Sequence, residues 1–201
     1  MNIGVLGGTF DPIHNGHLAL AEEVRASLNL AETLFVPAGH PWLKVHNSIS
    51  SAEHRVEMVR LTITDRPYFK LETMEVGRSG SSYTVDTIAG LKAQLGIRDE
   101  LFFILGADNL AEIPLWREPS RLITMCRLVV VPRPDYSLPD LGSLEAIIPG
   151  LSQRVMLMDK PEIDISASVI RDRVARGLSI RHLIPKPVAE YIRRHKLYLM
   201  R

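Results

Sequence analysis

The chain has 201 residues and a mass of 22.5 kDa, with 46% hydrophobic and 23% charged residues. This is ordinary globular usage, which excludes disordered, collagen-like and coiled-coil classes; the length predicts one domain, or one with a small appendage. Its 24 basic and 23 acidic residues leave a net charge of +1, too small a basic excess for a broad electrostatic nucleic-acid binder, so no nucleic-acid partner is expected. An anionic ligand then requires a positive field that is local.

The single cysteine, Cys126, can make neither an internal disulfide nor a zinc-thiolate cluster. It precedes an apolar run and reads as a buried, inert thiol. The sequence has no apolar stretch long enough to span a membrane, and its start lacks the basic and apolar regions of a signal peptide. A reduced, cytoplasmic setting without a membrane partner is the expectation. The oligomeric state is left open, with a homo-oligomer allowed.

Residues 3–6 are a short, mostly apolar run ended by Gly7-Gly8, which reads as a buried strand. Over 17–30, Leu18, Leu20, Ala21, Val24 and Leu28 recur at helical spacing. Residues 34–36, stopped by Pro37, form a second strand. Val56, Val59 and Ile63 share one face of a helix over 51–63, whose Ser-Ala-Glu start suits an N-terminus. A strand is predicted over 69–76, a Gly- and Ser-rich loop over 77–82, and a helix over 84–95 stopped by Gly96. Strands follow at 101–105, closed by Gly106, and at 128–131, closed by Pro132. Three prolines make 132–142 a loop. A short strand at 155–158 precedes helices at 166–176, with a serine cap, and 187–195, with proline at its first position. Alternating strands and helices, with nearly continuous apolar strands, predict an α/β fold. It should be a Rossmann-like, doubly wound parallel sheet with helices on both faces and a small helical C-terminal subdomain over about 166–201. Residues 1–201 are expected to form a single domain.

The unusual polar segments follow strands: 7–17 after the first, 38–44 after the second, 106–108 after the fourth and Arg133 after the fifth. In open parallel sheets, ligands bind outside the carboxyl ends of the strands, so these segments converge on one edge. The first of them reads Gly7-Gly8-Thr9-Phe10-Asp11-Pro12-Ile13-His14-Asn15-Gly16-His17 and runs directly into a helix. Paired glycines let the backbone approach a ligand. A helix starting near His17 offers free N–H groups and a positive dipole end to phosphate. His14 and His17, three apart with Gly16 between, can point at one phosphate. A second segment, 165–171, reads Ile-Ser-Ala-Ser-Val-Ile-Arg. There Ser166 or Ser168 can cap a helix, and the Arg171 guanidinium can fork onto phosphate oxygens. A capped helix with an exposed arginine is common, so this segment gains force only beside the first.

Residues 7–17 resemble the nucleotidyltransferase signature GGTFDPxHxGH, and 165–171 resemble that superfamily's ISxxxIR segment. Within it the chain is similar, end to end, to the bacterial nicotinate-nucleotide adenylyltransferase family. The supporting segments are Ser82-Tyr83-Thr84-Val85-Asp86-Thr87, Leu105-Gly106-Ala107-Asp108, Leu115-Trp116-Arg117, Val131-Pro132-Arg133-Pro134, and a tail containing Ile184-Pro185, Tyr191-Ile192, His195 and Leu197-Tyr198. The resemblance implies adenylyl transfer from ATP to nicotinate mononucleotide in NAD biosynthesis, with Mg²⁺ required and held mainly by the ATP phosphates and water. It implies that His14, His17, Arg171 and Lys44 are catalytic, His17 stabilising the transition state. By the same likeness Gly7, Gly8, Thr9, Phe10, His14, His17, Gly106, Asp108, Ile165, Ser166, Ser168 and Arg171 bind ATP, Asp108 at the ribose. Thr9, Lys44, Thr84, Trp116 and Arg133 bind the mononucleotide, with Trp116 as a plate for the pyridine ring and Arg133 at its phosphate. Tyr83 reads as packing. An already ionised phosphate nucleophile needs no general base, so positioning and charge stabilisation suffice.

Two departures from the family pattern stand out. The segment Pro37-Ala38-Gly39-His40-Pro41-Trp42-Leu43-Lys44 has Leu43 where the family commonly has histidine, and adds Trp42. Ala167 stands where serine is commoner. His40, His46 and His54 match no usual metal-ligand spacing, and no metal is expected on the protein's own side chains. Asp11, followed by Pro12, should shape the turn. Two other readings remain: a relative using another phosphate acceptor such as phosphopantetheine, and a catalytically silent nucleotide-binding module.

Overall fold

The computed structural model describes residues 1–40, 49–133, 136–160 and 164–199. Among the described residues, the apolar runs form six strands: β1 (Asn2–Gly8), β2 (Glu32–Pro37), β3 (Phe69–Leu71), β4 (Glu100–Gly106), β5 (Arg127–Val131) and β6 (Val155–Leu157). They make one sheet in the order β3-β2-β1-β4-β5-β6, every adjacent pair parallel. Around it run α1 (Asn15–Ser27), α2 (Ala52–Ile63), α3 (Thr84–Gln94), α4 (Ala107–Ala111), α5 (Pro119–Met125), α6 (Leu141–Ile147), α7 (Ala167–Ala175) and α8 (Lys186–Arg194). This is the doubly wound, Rossmann-like parallel sheet expected from the alternating pattern.

Successive side chains on a strand point to opposite faces, and here both faces are apolar. Phe102, Ile104, Val129 and Val131 enter one core with Val24, Met58, Ile170 and Val188 from α1, α2, α7 and α8. Leu101, Phe103, Leu105, Leu128 and Val130 enter the other, with Ile88, Leu110, Ile123 and Leu144 from α3 to α6. Each such side chain contributes roughly 1.5–3 kcal/mol when fully buried. Cys126 belongs to the second core, where burial pushes its thiol up to about 12.

Three expectations need correction. The strand over 69–76 ends at Leu71. Beyond it the Glu72 carboxylate accepts from the Met74 N–H at 2.8 Å, and the Val76 and Gly77 N–H groups both turn back to the Thr73 carbonyl. The helix placed near His17 starts at Asn15, with His14 as its N-cap. The loop over 132–142 gives way at Leu141 to α6, which Asp140 caps by accepting from the Gly142 and Ser143 N–H groups.

The register aligns the strand ends that matter. Gly7 and Gly8 of β1 pair with Val36 and Pro37 of β2, and Gly106 of β4 pairs with Val131 of β5. The order reverses between β1 and β4, and at that point the carboxyl edge opens into a crevice.

Candidate active site

The β1–α1 connection is built around two strained or buried residues. Phe10 adopts a left-handed backbone at φ 50°, a conformation side chains other than glycine rarely take. Its ring is 2% exposed and meets the His17 ring edge-on at 5.0 Å. His17 sits three residues after the N-cap, and its Nδ1 accepts from the His14 backbone N–H at 3.2 Å. A neutral imidazole that accepts at Nδ1 carries its proton on Nε2, so His17 is set up as an Nε2 donor. The two imidazoles stack, with centroids 3.7 Å apart and planes at 28°. His14 is 5% exposed, and its Nδ1 has no partner among the described residues. Burial, with the field of Arg133 added, brings its pKa down to about 4, so its imidazole is neutral at pH 7.

Asp11 ties this loop to the C-terminal third of the chain. Its Oδ1 accepts from the Tyr198 hydroxyl at 2.7 Å and its Oδ2 from the Ser50 N–H at 3.3 Å. Its backbone carbonyl accepts from Arg171 Nη1 at 2.7 Å. Burial and the Asp11 carboxylate raise the Tyr198 phenol above its ordinary range, so it stays a donor. Arg171 lies on α7, whose N-cap Ser166 accepts from the Val169 N–H at 3.2 Å and stands 3.0 Å from the Ser168 hydroxyl. A residue 160 positions along the chain thus faces the first loop.

The ends of β4 and β5 add an ion pair. Asp108, in the first turn of α4, lies 3.6 Å from the Arg133 Nε. A Cβ on Gly106 would fall 2.3 Å from Asp108 Oδ1 and 3.2 Å from that Nε. Any larger residue at 106 would push the pair apart.

The opposite wall comes from α3 and the segment before α5. Thr84 is the first residue of α3, whose opening N–H groups face outward from the helix end. Trp116 packs edge-on against Phe103 at 6.0 Å, and its Nε1 is buried without a partner among the described residues. Arg117 lies over the Tyr83 ring at 4.8 Å and 3.8 Å from Asp86. Glu75, 8% exposed, accepts from the Thr87 hydroxyl at 2.7 Å.

One cavity of about 580 Å³ joins these walls. Of the residues singled out in the sequence, Gly7, Gly8, Thr9, Phe10, His14, His17, Thr84, Gly106, Asp108, Trp116, Arg133, Ile165, Ser166, Ser168 and Arg171 line it. Lys44 lies outside the described residues, as do Trp42, Leu43 and His46. Tyr83, read as packing, lines the cavity beneath Arg117. His54 instead docks α2 on α8, its Nδ1 2.9 Å from the Tyr191 hydroxyl. Among the described residues, no three of His, Cys, Asp or Glu are grouped to hold a metal ion.

Sequence reading missed Glu75, Asn109 and Arg117 in the lining and Arg55 behind it. Arg55 had a legible signal: with Met58, Val59 and Thr62 it sits on the buried stripe of α2, where a charged residue is out of place. Glu75 had none, since it sits in a turn read as strand.

The Cytidylyltransferase-like family model matches residues 5–173, so the chain belongs to that family. It is 48% identical over 198 residues to a "Probable nicotinate-nucleotide adenylyltransferase" of Dehalococcoides mccartyi strain BAV1, covering 98% of this chain and 97% of the relative. A protein of the same description from Frankia alni is 45% identical over 198 residues, covering 98% and 100%. Within the wider family, the chain therefore belongs to the nicotinate-nucleotide adenylyltransferases. The solved structure of Plasmodium falciparum nicotinic acid mononucleotide adenylyltransferase complexed with NaAD shares the fold, with a TM-score of 0.80 at 22% identity, over 98% of this chain and 97% of that one. No helix among the described residues is long and apolar enough to cross a membrane.

Proposed function

We propose that this chain transfers the adenylyl group of ATP to nicotinate mononucleotide, a step of NAD biosynthesis carried out in the cytoplasm. A phosphate oxygen of the mononucleotide attacks the α-phosphorus of ATP. The bond to the β-phosphate oxygen breaks, and nicotinate adenine dinucleotide and pyrophosphate leave. The observation that carries this reading is the convergence of His14, His17 and Arg171 on one cavity whose far wall holds Trp116 and Thr84. The phosphate nucleophile is already ionised, and no carboxylate or imidazole has to act as its base. The transferred group spreads charge over its oxygens, so fixed donors do the work.

In this reading the N–H groups behind Gly7, Gly8, Thr9 and Phe10 and the start of α1 face the triphosphate. His17 Nε2 donates to a phosphoryl oxygen as charge develops, and Arg171 forks onto the same group. Ile165, Ser166 and Ser168 flank that arginine, and Asp108, with Gly106, meets the adenosine ribose. Arg133 neutralises the mononucleotide phosphate, Thr9 stands between the two substrates, and Thr84 and Trp116 receive the nicotinate ring. Lys44 is assigned a phosphate role on the sequence resemblance alone. The cavity offers donors and cations, and its carboxylates already have partners in Arg133, Tyr198 and Thr87. That set suits a Mg²⁺ ion carried by the nucleotide phosphates and water, where it supplies charge neutralisation. Residues 1–201 act as one domain in this reading, since α7 and α8 share a core with α1 and α2.

A pyrophosphate-release assay with ATP and three acceptors tests it. Nicotinate mononucleotide should support release well above nicotinamide mononucleotide, and phosphopantetheine should give none. Release with phosphopantetheine alone would move the chain to another acceptor class; no release with any acceptor would favour a silent nucleotide-binding module.

A further inference from the structure

Among the described residues, Arg55 is the largest buried charged side chain, 2% exposed. Among the described residues no carboxylate lies within salt-bridge distance of it. Its guanidinium instead spends its donors on backbone carbonyls. Nε donates to Ser50 at 3.0 Å, Nη1 to Thr9 at 2.9 Å and Ala38 at 2.6 Å, and Nη2 to Gly39 at 3.2 Å. A rigid planar fork can serve several acceptors at once; a lysine ammonium on a flexible stem cannot hold the same geometry. Burying a guanidinium is costly, and a long apolar side chain would fill the same space without that cost. Packing alone therefore does not account for the residue.

What Arg55 joins is specific. Thr9 belongs to the loop that carries His14 and His17, whereas Ala38 and Gly39 leave the end of β2. On their other side, the Gly39 and His40 N–H groups donate to the Ser82 hydroxyl at 3.0 and 3.2 Å, and the Ser82 N–H returns to the His40 carbonyl at 3.0 Å. Ser82 is two residues before Thr84. A Cβ on Gly39 would lie 2.1 Å from the Glu75 carbonyl, so this strip is clamped against the wall behind it. A continuous path runs from Thr9 through Arg55, Gly39 and Ser82 to Thr84, from the proposed ATP side to the proposed nicotinate side.

We propose that Arg55 is a positioning residue that fixes the separation between the histidine-bearing loop and the acceptor wall, so that the two bound substrates meet in line. The proposal rests on the adenylyl-transfer reading. It touches neither substrate; it acts through the carbonyls of Thr9, Ala38 and Gly39. Misalignment of two reactants lowers the rate of the chemical step while leaving each one's own binding nearly intact.

The test compares wild type with Arg55→Lys, which keeps charge and stem but loses the fork. Both are checked for folding by circular dichroism at the assay temperature. The strut predicts that kcat falls about 10- to 100-fold, while the Kd values of a non-hydrolysable ATP analogue and of nicotinate mononucleotide, measured separately, each change less than about three-fold. An unchanged kcat per folded molecule overturns it, and so does a loss confined to the affinity of one substrate. If Arg55→Lys does not fold, Ser82→Ala decides, because it loosens the same strip from its other side. A fall in kcat of about three-fold or more with both Kd values held supports the strut, and an unchanged kcat overturns it. A wild-type chain that releases no pyrophosphate refutes the underlying activity, whereas an active wild type with an equally fast variant refutes the strut alone.

Discussion

His14 carries a charge problem that its surroundings solve by keeping it neutral. Its Nδ1 is buried without a partner among the described residues, and Arg133 adds a positive field from the end of β5. The unfolded chain would bind that proton near the ordinary value of 6.5, the folded chain only near 4. Between these values the unfolded state holds more protons, so stability falls as pH falls. The contribution is fully present above about pH 6.5 and is lost on descent toward pH 4, on the order of 3 kcal/mol. Urea unfolding of wild type and His14→Gln at about pH 7 and about pH 4.5 checks it. Wild type should lose more stability than the variant between the two; parallel losses would contradict the assignment. That His14 and His17 stand together on the loop after β1, beside the cavity, was legible from the glycines and the spacing. What the sequence could not convey is that one imidazole is a buried neutral ring and the other an Nε2 donor, since this follows from packing under Phe10 and the N-cap geometry.

Long elements with a clear period were readable, as was the short strand β6, whereas the short helices α4 to α6 were not. β1, β2, β4 and β5 have apolar runs bounded by glycine or proline, and α1, α2 and α3 repeat apolar residues over three turns. α4 spans five residues, and α5 and α6 seven each, fewer than a helical period needs to declare itself. These elements matter, because Asp108 and Trp116 sit on or between them. Trp116 follows a single 3-10 turn at Ile113–Leu115 and precedes Glu118, a left-handed residue at φ 48° that redirects the chain into α5. That turn aims the indole at the cavity and leaves its edge on Phe103. Trp116→Ala should raise KM for nicotinate mononucleotide roughly ten-fold and KM for ATP less than about three-fold. Steady-state kinetics with each substrate varied in turn settles it, and equal changes would take Trp116 out of the acceptor pocket.

A molecule of net charge +1 still distributes its basic residues unevenly along the chain. From 166 onward, the sequence sets Arg171, Arg173, Arg176, Arg181, Lys186, Arg193, Arg194, Lys196 and Arg201 against only Asp172 and Glu190 in acidic residues. This basic segment is tied to the first loop by Tyr198, Arg171 and the Asn15 N–H bond to the Leu183 carbonyl at 2.9 Å. Composition averages that asymmetry away, whereas the fold brings one member of it, Arg171, into the crevice where the strand order reverses. Groups from the first and last fifths of the chain should grip one triphosphate there. A crystal structure of the protein with a non-hydrolysable ATP analogue measures this directly. Phosphate oxygens should lie within about 3.2 Å of both His17 Nε2 and the Arg171 guanidinium. A triphosphate seated away from the β1–α1 loop, with those two side chains turned elsewhere, would contradict the account.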